Sequence, residues 1–138
     1  MISTVERVLF LGGVELFVDI PSEELSGIAN IAEEVELSTG QRVFAEGDPG
    51  DSMYLIVDGR VRIEVQEKTV AELGTRQCFG EMAILDNEQR SGTVTCLSDA
   101  VFLRIAQSDF LEIMMEKPEL SRGIIRVLVS RLRKSNQR

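Results

Sequence analysis

The residues best suited to chemistry lie in one short segment that contains Gly80, Glu81 and Arg90. Glycine has no side chain, so a ligand can approach the backbone closely at Gly80. A helical turn starting at Glu81 would offer unpaired N–H groups and a partial positive charge, which suit a phosphate. The guanidinium of Arg90 can donate two hydrogen bonds to one phosphate, and the Glu81 carboxylate can accept one from a ribose hydroxyl. Taken alone, these three residues also fit a surface salt bridge beside a tight turn.

The chain contains no histidine, and this excludes several classes of enzyme. Neither a Ser-His-Asp triad nor a Cys-His pair can form, and a histidine-based metal cluster is excluded too. Cys78 and Cys96 are too few for a structural zinc site and follow no redox spacing, so we interpret them as buried reduced thiols. We therefore expect a non-catalytic protein without a metal or a cofactor, and a metal-dependent cupin enzyme is disfavoured.

Charge is distributed unevenly along the chain, whose formal net charge is −8. Residues 117–138 contain seven Lys or Arg and one acid, a net charge of +6, so residues 1–116 carry −14. Since an acidic body repels a long polyanion, we expect no nucleic acid as a partner of this chain. The basic C-terminal run is typical of the solvated face of a helix, and contact with an anionic surface is the less favoured alternative.

A length of 138 residues fits one domain with a core of its own. The longest apolar stretch, residues 8–18, contains two glycines and one acid and is too short to span a bilayer. No signal peptide opens the sequence. We therefore expect a cytoplasmic protein without a membrane span.

Two helices are predicted at the N-terminus. Ser3 and Glu6 have the spacing of a capping box, and Pro21 and Ser22 can open a second helix. The second helix has one apolar face, which is made by Leu25, Ile28, Ile31 and Ala32.

The period of the apolar residues changes from 3.6 to 2 in the middle of the chain. Residues 60–66 and 101–105 alternate as half-buried strands do, and residues 53–57 are almost continuously apolar. Turn signals separate these runs, most clearly the Gly, Asp and Pro residues within 46–51. About six to eight short strands at this spacing predict an antiparallel barrel or jelly roll.

Two further helices are predicted after the strands. Ser108 is a candidate N-cap for a helix over residues 109–116, and Pro118 can start the next helix. The last helix has a wide apolar face, which contains Leu120, Ile124, Ile125, Leu128, Val129 and Leu132. This face either packs on the strands or also binds a partner helix from a second copy, and the pattern alone does not distinguish the two.

Residues 79–94 read FGEMAIL, DNEQ and RSGTV in order. This segment resembles the phosphate-binding cassette of the cyclic-nucleotide-binding family, which includes catabolite activator protein and the regulatory subunits of protein kinase A. The family pattern is F-G-E-[LM]-A-[LI], a short variable stretch, and R-[AST]-A-T-V. The resemblance extends from about Leu16 to Arg133 and includes the stretches GQRVFAEGDPGDSMYLIVDGRVRI and AVFLRIAQSDFLEIM.

The resemblance implies an α+β fold. An antiparallel β-roll, jelly-roll-like and of about eight short strands, is flanked by N-terminal helices and by two C-terminal helices. Taken as a single domain, residues 1–138 divide into an N-terminal helical segment (1–33), the β-roll (34–106) and the hinge and lid helices (107–134). The phosphate-binding cassette occupies residues 79–94 of the β-roll.

The resemblance also implies roles for individual residues. Glu81 would bind the ribose 2′-hydroxyl, and Arg90 would bind the exocyclic phosphate oxygens. Backbone N–H groups of Ala83 and Ser91 would complete the phosphate cradle. The remaining ligand-binding positions are Phe79, Gly80, Met82 and Gly92, and of these Gly80 and Met82 would line the ribose.

A relay from ligand to helices follows from the same resemblance. Ile84 occupies the position of a hydrophobic residue that senses the ligand, and Phe110 occupies the position where the hinge helix responds to it. Occupancy would then shift the population toward a state in which the final helices close over the base. Gly92 departs from the family, which usually has alanine there, and this puts the affinity in doubt rather than the chemistry.

The implied function is that of a regulatory domain that binds a cyclic nucleotide. Ser91 fits binders of either base, and we favour cAMP over cGMP. The residues after the last helix leave no room for a DNA-binding helix-turn-helix, so the effector is unknown and the chain could be part of a larger protein. The apolar face of that helix would allow a homodimer. The alternative function is an interaction or assembly module of the same fold that no longer binds nucleotide.

Overall fold

The computed structural model describes residues 1–81, 86 and 88–136. Two helices, α1 (Thr4–Leu11) and α2 (Ser22–Ile31), flank a short 3-10 turn (Glu15–Phe17). The strands of the described part are β1 (Glu33–Leu37), β2 (Arg42–Phe44), β3 (Ser52–Asp58), β4 (Val61–Val65), β5 (Lys68–Leu73), β6 (Cys78–Phe79), β7 (Thr93–Cys96) and β8 (Ala100–Ala106). The chain continues into α3 (Gln107–Glu116) and α4 (Pro118–Ser135).

The strands form two four-stranded sheets with the orders β1-β8-β3-β6 and β2-β7-β4-β5. Every strand pair within them is antiparallel. This arrangement confirms the predicted α+β fold, in which an antiparallel β-roll lies between N-terminal and C-terminal helices. The first strand begins at Glu33, and the last strand ends at Ala106.

Strands β3 and β8 contribute side chains to two hydrophobic cores, because successive side chains of a strand point to opposite faces. One face of the pair packs with the helices and contains Met53, Leu55, Leu103 and Ile105. The other face packs between the two sheets and contains Ile56, Ala100 and Phe102. The prediction of a half-buried strand at residues 101–105 is therefore wrong, since both faces of β8 are buried.

The N-terminal helices form as predicted. The Ser3 hydroxyl accepts from the Glu6 backbone N–H, and the Glu6 carboxylate accepts from the Ser3 backbone N–H, which completes the capping box. Arg7 of α1 donates to the carbonyls of Ala29 and Ala32 at the C-terminal end of α2. These bonds satisfy carbonyl groups that the helix itself leaves without a donor.

The C-terminal helices begin differently from each other. The prediction that Ser108 caps α3 is wrong, because the helix already includes Gln107 and its N-cap is Ala106, which makes no side-chain capping bond. The Gln107 backbone N–H donates to the carbonyl of Asp51, so the chain enters this helix directly from β8. Pro118 is the first residue of α4, as predicted.

The apolar face of α4 divides into two parts. Leu120, Ile124 and Val127 are buried against the 3-10 turn and the other helices. Ile125, Val129 and Leu132 are 56%, 42% and 62% exposed, and they form a stripe that the described residues leave uncovered. Neither α4 nor any other helix in the described residues is long and apolar enough to cross a bilayer.

We predict that Leu25→Ala lowers the free energy of unfolding by about 2–5 kcal/mol, because it leaves a cavity in the helical core. Leu25 is 1% exposed in α2, whereas Leu9, in the adjoining helix α1, is 74% exposed. Leu9→Ala is the matched control and should change stability by about 0.5 kcal/mol or less. Urea unfolding of both variants tests this, and equal losses would contradict the assignment of the helical core.

Candidate ligand-binding site

A cavity of about 620 Å³ opens beside the inner face of the second sheet. Apolar side chains from five strands make its walls, namely Phe44, Ile63, Leu73, Phe79 and Val94. Polar residues from the segment after β6 complete its lining, namely Glu81, Asp86, Glu88, Gln89, Arg90 and Ser91. Apolar walls with a few convergent polar groups are typical of a small-molecule site.

Arg90 is the most constrained polar residue of this cavity, with 5% of its surface exposed. Its Nη2 donates to the Ser52 carbonyl oxygen at 2.7 Å and to the Ser52 hydroxyl at 3.2 Å. Its Nη1 lies 3.5 Å from the carbonyl oxygen of Gly80. The backbone of Arg90 pairs with the turn before β3, since its N–H donates to the Asp48 carbonyl and its own carbonyl accepts from Gly47.

The guanidinium of Arg90 is held in place, and the described residues leave part of its hydrogen-bonding capacity unused. Its Nε is buried and has no hydrogen-bond partner among the described residues. Its Cζ lies 4.0 Å from the centre of the Phe44 ring, a cation–π contact. Burial lowers the pKa of Arg90, and the nearby Tyr54 and Asp51 oppose that effect. Arginine is not deprotonated in proteins, so the group keeps its charge at neutral pH.

One carboxylate links Arg90 to a second arginine. Asp51 Oδ1 lies 3.9 Å from Arg90 Nη2 and 3.8 Å from Arg104 Nη2. Arg104 also lies 3.5 Å from Glu33 at the start of β1. Arg90 thus carries a full positive charge inside the cavity, while the charged residues of these long contacts lie at the edge of the roll.

Gly80 is required by its backbone and by the space around it. Its φ is +79°, a conformation that side chains other than glycine adopt with strain. A Cβ at this position would lie 2.6 Å from Arg90 Nη1 and 3.1 Å from the Ser52 carbonyl oxygen. The absence of a side chain therefore leaves room for the guanidinium.

Gly92 is also surrounded closely. A Cβ there would lie 2.9 Å from the Glu64 carbonyl oxygen and 3.3 Å from side-chain atoms of Ile63 and Val65. The backbone of β4 occupies the space that an alanine methyl group would need. At this position, where the family pattern has alanine, the neighbouring strand leaves no room for a side chain.

Glu81 lies at the cavity mouth with its side chain 25% exposed. Its Oε1 is 3.8 Å from Arg131 Nη1 of helix α4. The Nε of the same arginine donates to Glu15 Oε1 at 2.6 Å, in the 3-10 turn. Burial lowers the pKa of Arg131, but the hydrogen bond and the charge of Glu15 outweigh it and raise the pKa. One guanidinium thus bridges the cavity, the C-terminal helix and the N-terminal segment.

Both cysteines are free thiols. Burial raises the pKa of Cys78 to about 12, and the Glu81 carboxylate acts in the same direction. Burial also raises the pKa of Cys96. Since the thiolate is the reactive form, both groups are poor nucleophiles at neutral pH.

The structure brings most of the predicted site residues together. Phe79, Gly80, Glu81, Arg90, Ser91 and Gly92 all line the cavity. Phe110 does not, because it is buried in the helical core on α3. The predicted positions Met82, Ala83 and Ile84 lie outside the described residues, as does most of the helical turn expected after Glu81.

Several residues of the site were missed from sequence. Phe44 lies under Arg90, Ser52 accepts from it, and Arg131 reaches the cavity mouth from α4. The turn signal at residues 46–51 predicted the loop beside Arg90 but did not indicate that this loop contacts Arg90. Arg131 belongs to the basic run that we interpreted as a solvated face, and nothing in that pattern distinguishes it from its neighbours.

A second concavity, of about 640 Å³, lies on the outer face of the second sheet. It is lined by side chains of both charges and by threonines, including Arg42, Arg62, Glu64 and Thr95. It lacks apolar walls and a buried charge, so it is a weaker candidate for a ligand site. Among the described residues there is no group of three or more acidic or cysteine side chains that could hold a metal ion.

Two known proteins are similar in sequence to most of this chain. The CRP-like cAMP-activated global transcriptional regulator of Mycobacterium tuberculosis is 28% identical over 126 residues, which cover 88% of this chain and 56% of that protein. The cyclic AMP receptor protein of Thermus thermophilus is 30% identical over 129 residues, which cover 90% of this chain and 60% of that protein. The chain therefore spans less than two thirds of the length of these relatives.

A solved structure shows the same fold. The N-terminal domain of a transcriptional regulator from Streptomyces coelicolor A3(2) superposes with a TM-score of 0.82 at 29% identity, covering 88% of this chain and 91% of that one. The family model described as the cyclic nucleotide-binding domain matches residues 34–117, which include every residue of the cavity lining and all of the strands except Glu33. The chain thus belongs to the cyclic nucleotide-binding domain family, a family of regulatory domains.

Proposed function

We propose that this chain is a non-catalytic regulatory domain that binds cAMP in the cavity beside Arg90. The observation that carries the proposal is the buried guanidinium, which lines the cavity and retains an Nε without a partner among the described residues. A buried charge without a full set of partners is costly, and an anionic phosphate would supply the missing acceptor. The cavity of about 620 Å³ is large enough for one mononucleotide.

The proposal assigns a role to each lining residue, in keeping with the family resemblance. Arg90 binds the exocyclic phosphate oxygens, while Gly80 lets the sugar approach the backbone. Glu81 accepts a hydrogen bond from the ribose 2′-hydroxyl. The apolar walls at Ile63, Leu73 and Val94 receive the base. Backbone N–H groups of Ala83 and Ser91 complete the phosphate cradle, and Met82 lines the ribose with Gly80. Gly92 is a further ligand-binding position, and Phe79 supports the site from the core between the sheets.

The preference for cAMP over cGMP is supported by names alone. The Mycobacterium tuberculosis relative is named as cAMP-activated, and the Thermus thermophilus relative is named a cyclic AMP receptor. Ser91 lines the cavity and is exposed, so its hydroxyl could serve either base.

Transmission of occupancy uses the helices that share a core with β3 and β8. Residues 1–138 act as one domain in this proposal, because the helical core combines Phe17 of the N-terminal segment, Leu55 of β3, Phe110 of α3 and Leu120 of α4. Ligand binding at the cassette shifts Ile84. Phe110 of α3 changes its position in response, and the final helices then move.

The stripe of Ile125, Val129 and Leu132 supports a homodimer through α4, since exposed apolar residues on one helix face suit a second helix.

The formal charge of −8 argues against nucleic acid as a partner of this chain. The two free thiols fit a reducing compartment such as the cytoplasm. The effector is a further part of the protein or a separate partner.

We predict that cAMP raises the melting temperature of the wild-type chain by several degrees, whereas AMP does not. A ligand that binds only the folded state adds about 2.7 kcal/mol to the free energy of unfolding at a hundredfold excess over its dissociation constant.

We predict that Arg90→Lys weakens cAMP binding by about ten- to a hundredfold in calorimetry, because a point charge cannot reproduce the guanidinium fork.

Arg104→Lys is the matched control, because Arg104 shares Asp51 with Arg90 but does not line the cavity. It should bind cAMP much more tightly than Arg90→Lys does. A folded, ligand-free wild-type chain that responds to neither cAMP nor cGMP would support the assembly module instead and end this proposal.

We also predict that Gly80→Ala weakens cAMP binding by about tenfold or more, because the new methyl group would collide with Arg90 Nη1. Gly40→Ala is the control. Gly40 has a similar φ of +86°, but a Cβ there would meet nothing within 4 Å. Backbone strain is common to both variants, whereas displacement of the guanidinium is expected only in Gly80→Ala. The difference between their cAMP affinities in calorimetry therefore reports the displacement. Equal affinities would show that the close contact at Gly80 is irrelevant to binding.

For the homodimer, we predict that Leu132→Glu converts a wild-type dimer into a monomer in analytical ultracentrifugation, because it places a charge in the apolar stripe. Leu111→Glu, at another exposed leucine on α3, should leave the dimer intact. A monomeric wild-type chain at high concentration, or a dimer that survives Leu132→Glu, would rule out this interface.

A further inference from the structure

Phe44 packs against the guanidinium of Arg90, which is the one basic group among the described lining of the proposed ligand cavity. The Arg90 Cζ lies over the Phe44 ring, 4.0 Å from its centre. An aromatic ring attracts a cation through its face, so this contact does not occupy a hydrogen-bond acceptor of the cavity. The ring therefore holds the guanidinium in place, and the Nε of Arg90 stays without a partner among the described residues.

A β-bulge in the edge strand β2 turns the Phe44 side chain toward the cavity. Arg42 pairs with Thr95 and Phe44 pairs with Val94, so three residues of β2 lie opposite two of β7. Successive side chains of a regular strand point to opposite faces. Val43 and Phe44 nevertheless both pack against the core between the sheets. The extra residue is the physical reason, because a bulge re-aims the side chains beside it.

Further aromatic rings fix the Phe44 ring. Its centre lies 6.0 Å from that of Tyr54 and 5.8 Å from that of Phe79. Tyr54 and Phe79 stack with their centres 5.3 Å apart, and Phe102 makes T-shaped contacts with both. Ring pairs at these separations attract each other in preferred geometries. Since Phe102 is fully buried, the cluster anchors Phe44 in the core between the sheets.

The residues directly after Phe44 hold the backbone of Arg90. The Gly47 N–H donates to the Arg90 carbonyl, and the Arg90 N–H donates to the Asp48 carbonyl. The Asp48 carboxylate accepts from the Ala45 N–H at 2.9 Å, which closes the turn. Residues 44–48 thus contact Arg90 at both ends, with the ring at the guanidinium and the turn at the backbone.

We propose that Phe44 is a positioning residue of the ligand site, which fixes the orientation of the Arg90 guanidinium toward the exocyclic phosphate oxygens. The inference rests on the proposed function, because it deepens the role of Arg90 in the same site. A long side chain that becomes ordered only on binding lowers the affinity. Because Phe44 orders Arg90 before the ligand arrives, the free energy of binding does not include this cost.

The test is a double-mutant cycle on the full chain, measured by calorimetry with cAMP. Phe44→Leu keeps an apolar side chain without a ring, and it should weaken cAMP binding by about three- to tenfold. The same substitution in Arg90→Lys should weaken binding by less than about twofold, since the fork that the ring orients is already absent. Phe44→Tyr retains the ring and should bind within about twofold of the wild-type chain.

A second measurement reports the orientation of the guanidinium. The two diastereomers of adenosine 3′,5′-cyclic monophosphorothioate carry sulfur in place of one or the other exocyclic oxygen, and sulfur is the weaker acceptor. The wild-type chain and Phe44→Tyr should therefore prefer one diastereomer. Phe44→Leu should reduce the ratio of the two affinities by about threefold, because its guanidinium is less fixed.

Phe102→Leu is the matched control, because it removes a ring from the same aromatic cluster at a residue outside the described cavity lining. It should lower the melting temperature and leave the cAMP affinity and the diastereomer ratio unchanged. If Phe44→Leu is unfolded, Phe44→Met replaces it with the same expected values, since methionine also lacks a ring.

Several results would overturn the inference. Equal losses of affinity in Phe44→Leu and Phe102→Leu would mean that the ring only supports the fold. A loss in Arg90→Lys as large as in the wild-type chain would mean that Phe44 contacts the ligand itself. A wild-type chain without preference between the diastereomers, or a ratio unchanged in Phe44→Leu, would remove the role in orientation.

The wild-type chain and Arg90→Lys distinguish this inference from the proposed function. If the wild-type chain binds cAMP and Arg90→Lys binds it more weakly, the proposed function stands whatever Phe44→Leu does. If the wild-type chain binds neither cAMP nor cGMP, the proposed function is wrong, and the role of Phe44 falls with it.

Discussion

The structure depends most on the burial of one guanidinium, that of Arg90, inside a β-roll. A buried cation is costly unless its surroundings supply acceptors. Ser52 supplies two of them, Gly80 leaves the space for the group, and the ring of Phe44 lies against its face. The backbone of Arg90 is fixed in addition by the turn before β3. These contacts leave an oriented positive charge at the cavity, which is what recognition of a phosphate needs.

Strands β3 and β8 carry the consequences of that burial to the rest of the molecule. Ser52, which accepts from Arg90, is the first residue of β3, and Met53 immediately after it packs in the helical core. Since adjacent residues of a strand face opposite sides, the strand that accepts from Arg90 on one face packs with the helices on the other. This pair of strands therefore connects the surroundings of Arg90 with the helical core.

Helix α4 combines three surfaces on a single element. Its buried residues attach it to the N-terminal 3-10 turn, its apolar stripe is exposed among the described residues, and Arg131 lies beside Glu81. From the sequence, the apolar residues of this helix formed one wide face, because a helical pattern shows which residues share a side but not what covers them. The packing of the 3-10 turn decides that Leu120 is buried and Leu132 is not.

Features that depend on near neighbours could be predicted from the amino-acid sequence. The capping box at Ser3 and Glu6 and the helix start at Pro118 are local and appear as expected, and Gly80, Glu81 and Arg90, which are close in the chain, line one cavity. Which distant groups meet depends instead on the three-dimensional packing. Ser52 binds Arg90 across 38 positions, and Arg131 binds Glu15 across 116. Contacts of that range are set by how strands pair and helices pack, and no periodicity in the chain encodes them one by one.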